Sequence, residues 1–257
     1  MRILLTNDDG IDARGLAVLQ TIARELTDYT HIYTVAPMSE QSGVGHCISY
    51  TQPVRFEKRG ARDWAVDGSP ADCVIAAVHA LMADKPPDLI LSGVNRGNNS
   101  AENALYSGTL GAAMEGALQG HLAIALSQYF GPRNGSLDDP FEASAAHLAG
   151  VIEDIRARHT GAVGGYLPFY NVNVPPVPAD EVTGTVWVRQ GRRPDVNFSA
   201  TQAESPSRRQ FMWIGGGNQH VDVDAETDAA ANLGGAISVT PMRADLTAHD
   251  LLPGDGE

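Results

Sequence analysis

The first 160 residues contain short apolar runs that alternate with longer segments in which apolar residues recur at helical spacing. Each apolar run predicts a buried strand, and each longer segment predicts a helix. The resulting order of strands and helices predicts a doubly wound α/β fold with a mostly parallel sheet. The predicted strands cover residues 1–5, 31–36, 86–92 and 121–127, with two short antiparallel edge strands within 48–66, and the predicted helices cover residues 13–26, 70–83 and 141–159, with a further helix beginning near residue 108.

The pattern changes after residue 160. An extended stretch closes with Pro175 and Pro176, and residues 182–189 alternate as a strand. We predict a β-rich excursion over about residues 175–225, of which a long hairpin is one form. Such an arm commonly mediates oligomerisation, although it could also fold onto its own chain. A short helix near residues 227–234, a returning strand at 236–241 and a frayed tail at 253–257 complete the prediction.

Composition narrows the classes of function. The 257 residues carry a net charge of −13 and are 43% hydrophobic, which suffices for one large α/β domain. The absence of a basic stripe argues against a surface for duplex nucleic acid. The short, quickly polar start and the lack of a long apolar run predict a cytoplasmic protein without membrane spans. Cys47 and Cys73 lie outside any metal-binding spacing and are interpreted as packing thiols.

Asp8 and Asp9 are the first candidates for chemistry. They follow the first predicted strand directly, in the turn sequence Asn-Asp-Asp-Gly. Ligands of open α/β sheets bind at the carboxyl ends of the strands, and two adjacent carboxylates there favour a divalent cation such as Mg²⁺, Mn²⁺ or Ca²⁺. The alternative is a helix N-cap, where aspartate is also common.

Two further segments lie where they could complete this site. Asn95 follows the strand at 86–92 and can offer either a carbonyl oxygen to a metal or an amide to a phosphate. Ser107, Gly108 and Thr109 open a helix, whose free amides form an anion site. Taken alone, these three residues are better interpreted as a helix cap; the Gly- and Asn-rich loop just before them adds a phosphate cradle as the alternative. No P-loop and no GxGxxG motif is present.

Several motifs, taken together and in order, resemble the SurE family of stationary-phase survival proteins, which are metal-dependent nucleotidases. The resemblance extends over nearly the whole chain. The matching segments read Ile-Leu-Leu-Thr-Asn-Asp-Asp-Gly at 3–10, Val-Ala-Pro at 35–37 with Ser42-Gly43, Gly-Ser-Pro-Ala-Asp-Cys at 68–73, Ser-Gly-Val-Asn-Arg-Gly-Asn-Asn at 92–99, Tyr-Ser-Gly-Thr at 106–109 with Ala-Ala-Met-Glu-Gly at 112–116, Asn-Val-Asn-Val-Pro-Pro at 171–176 and Ser-Val-Thr-Pro at 238–241.

The resemblance implies a Rossmann-like core with a C-terminal β-hairpin arm, assembled as a homodimer or homotetramer through swapped C-terminal elements. It also implies one divalent metal ion per subunit, Mg²⁺ or Mn²⁺, with Asp8, Asp9, Ser42 and Asn95 as ligands. The family hydrolyses nucleoside 5′- and 3′-monophosphates, and some members also cleave short polyphosphate. The chain departs from the family after Asn99, where an acidic position is lost, and within the arm.

The leading hypothesis is therefore a metal-dependent phosphomonoesterase that acts on nucleoside monophosphates. Asp8, Asp9 and Asn95 are its predicted catalytic residues, and the amides and hydroxyls of residues 107–109 hold the phosphate. The nucleophile is either a metal-activated water, which we favour, or a carboxylate. A phosphatase that forms an aspartyl-phosphate is less favoured because its DxD pattern is missing. A non-catalytic nucleotide or phosphate sensor on the same fold remains the alternative.

Overall fold

A nine-stranded mixed sheet forms the centre of the protein, here described from a computed structural model for residues 1–194 and 196–252. Its strands lie in the order β3-β4-β2-β1-β5-β6-β7-β11-β8, and a separate antiparallel pair is formed by β9 and β10. The strands are β1 (Ile3–Thr6), β2 (Ile32–Pro37), β3 (Phe56–Lys58), β4 (Asp63–Val66), β5 (Leu89–Arg96), β6 (Leu122–Gln128), β7 (Phe169–Val174), β8 (Thr185–Trp187), β9 (Ser199–Glu204), β10 (Gln210–Gly215) and β11 (Ile237–Met242).

Six of the eight strand pairings in this sheet are parallel, which confirms the predicted fold class. The antiparallel exceptions are β3 with β4 at one edge, as predicted, and β7 with β11. The chain leaves β1 towards β2 on one side and later enters β5 on the other side. This reversal makes the carboxyl ends of β1 and β5 the topological switch point, where open α/β sheets bind their ligands.

Helices cover both faces of the sheet because the central strands are apolar on both sides. In β1, Ile3 and Leu5 belong to a core formed with helices α1 and α4, whereas Leu4 belongs to a second core formed with α2 and α3. The predicted helices are confirmed as α1 (Arg14–Leu26), α2 (Pro70–Ala76, continued by a π-helical segment at Ala77–Leu81), α3 (Gly108–Leu118), α4 (Glu142–Arg158) and α5 (Asp228–Leu233).

The predicted excursion at residues 175–225 consists of two structurally different parts. Strand β8 pairs in parallel with β11 and forms the edge of the main sheet. Strands β9 and β10 form the hairpin, with Gln210 opposite Glu204 and Gly215 opposite Ser199, and they pair with no strand of the main sheet within the described residues. The predicted frayed tail at 253–257 lies outside the described residues.

Three further expectations can be compared with the structure. Asn95 does not follow its strand, because β5 continues to Arg96 after a register shift between Ser92 and Asn95.

Cys73 is buried as predicted, whereas Cys47 is exposed and is therefore not a packing thiol. Over residues 1–194 and 196–252, no helix has the length and apolar character needed to cross a membrane.

Helix α2 begins with a complete capping box, as the sequence Ser-Pro-Ala-Asp predicts. The hydroxyl of Ser69 accepts a hydrogen bond from the Asp72 amide at 3.1 Å, and the Asp72 carboxylate accepts one from the Ser69 amide at 2.8 Å. The Ser69 hydroxyl also donates to the carbonyl of Cys47 and thereby ties the preceding loop to the helix.

We expect Ser69→Ala to lower the free energy of unfolding by about 1 kcal/mol, because it removes the cap. Urea denaturation measures the change, and Ser69→Thr is the control that keeps the hydroxyl. Equal loss in both variants would show that steric fit, and not the cap, stabilises this helix start.

Candidate functional site

The turn after β1 places Asp8 and Asp9 at the switch point. The side-chain amide of buried Asn7 donates to the carbonyl of Gly10 at 2.8 Å and closes the turn. Helix α1 begins only at Arg14, with Ala13 as a cap residue that makes no side-chain cap bond. The aspartates therefore do not cap this helix, and the alternative interpretation of the pair is wrong.

The Asp8 carboxylate is almost fully buried, with 4% of the residue exposed. Its Oδ1 accepts a hydrogen bond of 2.7 Å from the hydroxyl of Thr109, at the start of α3. Burial, which disfavours the charged form, raises the pKa of Asp8 from 3.8 to about 6. The hydrogen bond from Thr109 lowers this pKa, and the negative charge of Asp9 raises it further.

Asp9 is less buried, and it is held by strand β5. Its Oδ2 accepts a hydrogen bond from the backbone amide of Arg96 at 3.3 Å. Burial raises the pKa of Asp9, and the nearby carboxylate of Glu40 adds to this rise, while the Arg96 amide and its guanidinium oppose it. Both members of the pair thus lie in an environment that disfavours two negative charges.

The loop after β2 reaches the same place. The amide of Gln41 donates to the carbonyl of Asp8 at 2.7 Å, which fixes the loop against the turn. The hydroxyl of Ser42 donates to the carboxylate of Glu40 at 2.8 Å, so the lone pairs of its oxygen remain available to a ligand.

Asn95 presents its carbonyl oxygen in a defined orientation. Its side-chain amide nitrogen donates to the carbonyl of Gly97 at 2.9 Å. This bond fixes the amide group and leaves its oxygen as an acceptor. Within the described residues, no group of three or more His, Cys, Asp or Glu side chains is placed to hold a metal. The predicted ligand set contains only two such side chains, both aspartates, together with two neutral oxygen ligands from Ser42 and Asn95.

The N-terminus of α3 packs directly on Asp8. Ser107 caps the helix, since its hydroxyl accepts from the Leu110 amide at 3.1 Å. A Cβ atom on Gly108 would lie 2.9 Å from the Cβ atom of Asp8, so only glycine allows this close approach. The Thr109 hydroxyl, predicted to hold phosphate, donates to Asp8 instead. Residues 107–109 therefore form the N-terminus of α3 and also donate a hydrogen bond to the Asp8 carboxylate.

A network of buried side-chain amides is hydrogen-bonded to Thr109. The side-chain amide of Asn99 donates to Ser127 at 2.8 Å and to Thr109 at 3.4 Å, and its backbone amide donates to Asn173 at 2.7 Å. Asn173 in turn donates to Asn171 at 3.1 Å. Sequence reasoning did not assign these residues to the site. The signal was available in Asn-Val-Asn-Val, where two amides alternate within an otherwise apolar strand.

A cavity of about 590 Å³ opens over this arrangement. Asp8, Ser42, Asn95 and Ser107 line it, and Asp9 lies outside its wall, in contact with the Arg96 amide. A larger groove of about 840 Å³ runs along β8, β11 and α5, but it contains none of the predicted site residues and its wall is mainly apolar. Because Asp8 and the N-terminus of α3 meet at the smaller cavity, and Asp9 is the next residue along the chain, we identify that cavity as the site.

Comparisons with known proteins identify the family to which the chain is similar. Residues 3–197 match the family described as Survival protein SurE. The proteins named 5′-nucleotidase SurE from Roseobacter denitrificans and Ruegeria pomeroyi are 59% and 60% identical to the chain, each over 253 residues that cover 98% of it and 97% of the relative. The crystal structure of the SurE protein from Aquifex aeolicus superposes with a TM-score of 0.80 at 32% identity, covering 98% of this chain and 97% of that chain.

The Thr109 hydroxyl can be tested without reference to any ligand. We expect Thr109→Val to lower the free energy of unfolding by about 1–3 kcal/mol, because buried polar groups of Asp8 and Asn99 lose a partner without a change in side-chain shape. Denaturant titration measures the loss, and Thr109→Ser, which keeps the hydroxyl, should recover most of it. A Thr109→Val protein as stable as the wild type would contradict the role of this hydrogen bond.

Proposed function

The chain belongs to the SurE family, and on that premise we propose that it is a 5′-nucleotidase, which hydrolyses nucleoside 5′-monophosphates to a nucleoside and phosphate. One observation carries the proposal most directly. The N-terminus of α3, a site suited to phosphate, is hydrogen-bonded to one of two adjacent carboxylates suited to a cation. Nucleoside 3′-monophosphates and short polyphosphate are further substrates expected from the family.

The residues at the cavity fit a hard divalent cation, Mg²⁺ or Mn²⁺. Burial raises the pKa of both Asp8 and Asp9, because it disfavours their charged forms. A nearby positive charge would stabilise these charged carboxylates. The fixed carbonyl oxygen of Asn95 and the hydroxyl oxygen of Ser42 supply two neutral ligands. One ion per subunit, held by these four residues, is the proposed cofactor.

Each residue of the proposed site has its own role in the reaction. When bound, the cation polarises the phosphoryl oxygens and offsets the negative charge of the transition state. The amides at the start of α3 and the Ser107 hydroxyl hold the phosphate oxygens. Thr109 holds Asp8 in one orientation, and Arg96 does the same for Asp9 through its backbone amide. We favour water as the nucleophile, with a ligated carboxylate as its weak base.

We expect Asp9→Asn to lower metal-dependent phosphate release from 5′-AMP by about 100-fold or more, because it removes one of two anionic ligands. The assay uses Mg²⁺ or Mn²⁺, with chelator as the blank, and includes 3′-AMP and an aryl phosphate.

Asp12→Asn is the matched control, since Asp12 is an exposed aspartate three residues further along the same loop. Release that is equal in both variants would argue against the proposed ligand set. If the wild type released no phosphate from any substrate with either metal, the protein would be the non-catalytic sensor instead.

We also propose that the chain is one α/β domain whose hairpin arm joins subunits into a homodimer or homotetramer, in the cytoplasm. The support is the apolar surface of β10. Phe211, Met212, Trp213 and Ile214 are 54–73% exposed on an isolated two-stranded ribbon. Such a ribbon is marginally stable alone, and contiguous apolar residues on it mark an interaction surface.

Trp213→Glu should shift the molecular mass in solution towards the monomer, because a charge replaces the most exposed of these apolar side chains. Light scattering coupled to size exclusion measures the mass. Gln202→Glu adds the same charge to the opposite strand without removing apolar surface and should keep the wild-type mass. An unchanged mass for Trp213→Glu would argue against the arm as the interface.

A further inference from the structure

The wall of the site cavity contains two aromatic side chains that have no role in the reaction proposed above. Tyr106 and Phe198 both line the cavity, and their rings meet edge to face with centroids 4.9 Å apart at 73°. Tyr106 is 47% exposed and Phe198 is 53% exposed, although both are large and apolar. Rings left open to a polar cavity, and not buried in a core, are the usual platform for a flat ligand.

Tyr106 is tied to the phosphate end of the cavity by the chain itself. It directly precedes Ser107, the capping residue of α3. Its carbonyl accepts a hydrogen bond of 3.0 Å from the amide of Gly45, which fixes its backbone. A phosphate held at the start of α3 therefore places the attached sugar and base next to this ring.

Phe198 belongs to the base of the hairpin arm and contacts the Tyr106 ring. It immediately precedes β9, and Gly216 and Gly217 follow β10 in the same cavity wall. A Cβ atom on Gly217 would lie 2.6 Å from a methyl carbon of Val196, so the arm base packs closely at this point. The arm thus contributes a wall of the site as well as an exposed apolar ribbon.

The polar groups near the rings are mainly neutral amides. Asn103, Asn197 and Gln219 line the cavity together with the two aromatic residues. The Asn103 amide nitrogen donates to Asn98 at 3.3 Å, and Gln219 accepts from Asn98 at 2.6 Å. Asn103 thus keeps an acceptor oxygen and Gln219 keeps a donor nitrogen. Amides of this kind can pair with the edges of different bases.

The one buried cation in this wall is already engaged. Within the described part of the chain, the guanidinium of Arg193 is 2% exposed and donates to the hydroxyl of Ser100 at 2.7 Å, to its carbonyl at 3.0 Å and to Asn98 at 3.2 Å. It therefore fixes the loop beneath the amides. Arg96 and Glu102 also line the cavity and carry a charge. The two rings and the neutral amides supply stacking and hydrogen bonds that do not depend on the charge of a ligand.

We propose that Tyr106 and Phe198 form the nucleobase subsite, with Phe198 as the residue through which the arm sets substrate preference. This inference rests on the proposed nucleotidase function and specifies where the base lies. A stacking platform flanked by neutral amides accepts any base, because every base has a π-face.

The first test compares a substrate with a base to one without. The measured quantity is kcat/KM for 5′-AMP divided by kcat/KM for ribose 5-phosphate. Phe198→Ala should lower this ratio by roughly ten- to hundredfold, because base–aromatic stacking contributes this much in alanine substitutions. The loss should fall on KM, as expected when binding is lost equally from ground and transition states. Phe198→Tyr, which keeps the ring, should restore the ratio.

Phe56→Ala is the matched control. Phe56 lies on strand β3, away from the hairpin arm, and is 58% exposed, against 53% for Phe198, but it does not line the cavity. Its ratio should stay within about twofold of the wild type, since it removes the same ring without touching the platform. An unchanged ratio in Phe198→Ala, or an equal fall in both variants, would overturn the subsite.

The second test separates this inference from the proposed function. Adenosine, which carries no phosphate, is titrated into the protein without metal, and binding is followed by saturation-transfer NMR or calorimetry. Wild-type binding that weakens about tenfold or more in Phe198→Ala supports the subsite, even if the protein releases no phosphate from 5′-AMP. No binding of adenosine to the wild type, or equal binding to both proteins, overturns the subsite even if the protein is a nucleotidase.

Discussion

Two consecutive carboxylates, those of Asp8 and Asp9, follow the first strand, and the neighbouring loops and helix α3 are arranged around them. Asp8 is nearly inaccessible to water, and its neighbour Asp9 lies in an environment that also raises its pKa. Placing two negative charges side by side away from water is unfavourable without compensation. The Thr109 hydroxyl and the Arg96 backbone amide donate hydrogen bonds to the pair, and Ser42 and Asn95 line the adjoining cavity. Carboxylate, amide and hydroxyl oxygens are suitable ligands for a hard divalent cation, and the pair has no role as a helix cap.

Other elements hold this arrangement in place from several directions. Gly108 brings the start of α3 against Asp8, and Thr109 then bonds to the carboxylate. Asn99 carries that support down to β6 and β7, so the site is anchored in the middle of the sheet. The hairpin arm closes the far side with Phe198. The same arm therefore connects the proposed assembly of subunits to the wall against which the base is proposed to lie.

The sequence predicts much of the fold and part of the site, for identifiable physical reasons. Apolar periodicity locates the strands and helices, and Ser69 and Ser107 mark two helix starts because their hydroxyls satisfy free amides. The placement of Asn95 inside β5 was not predictable, since an irregular strand depends on its neighbour's register. The bond from Thr109 to Asp8 joins residues 101 positions apart, and the wall formed by Phe198 depends on how the arm packs. Such contacts come from tertiary structure, which local patterns do not encode.

The proposed cation binds between the ends of β1 and β5. Crystals soaked in Mn²⁺ and measured at the manganese absorption edge test this binding site, since the anomalous signal identifies the ion itself. We expect a single strong peak per subunit at about 2.1 Å from oxygen atoms of Asp8, Asp9, Ser42 and Asn95, a distance typical of a small hard cation. A peak bound by other residues, or no peak at saturating Mn²⁺, would rule out this site.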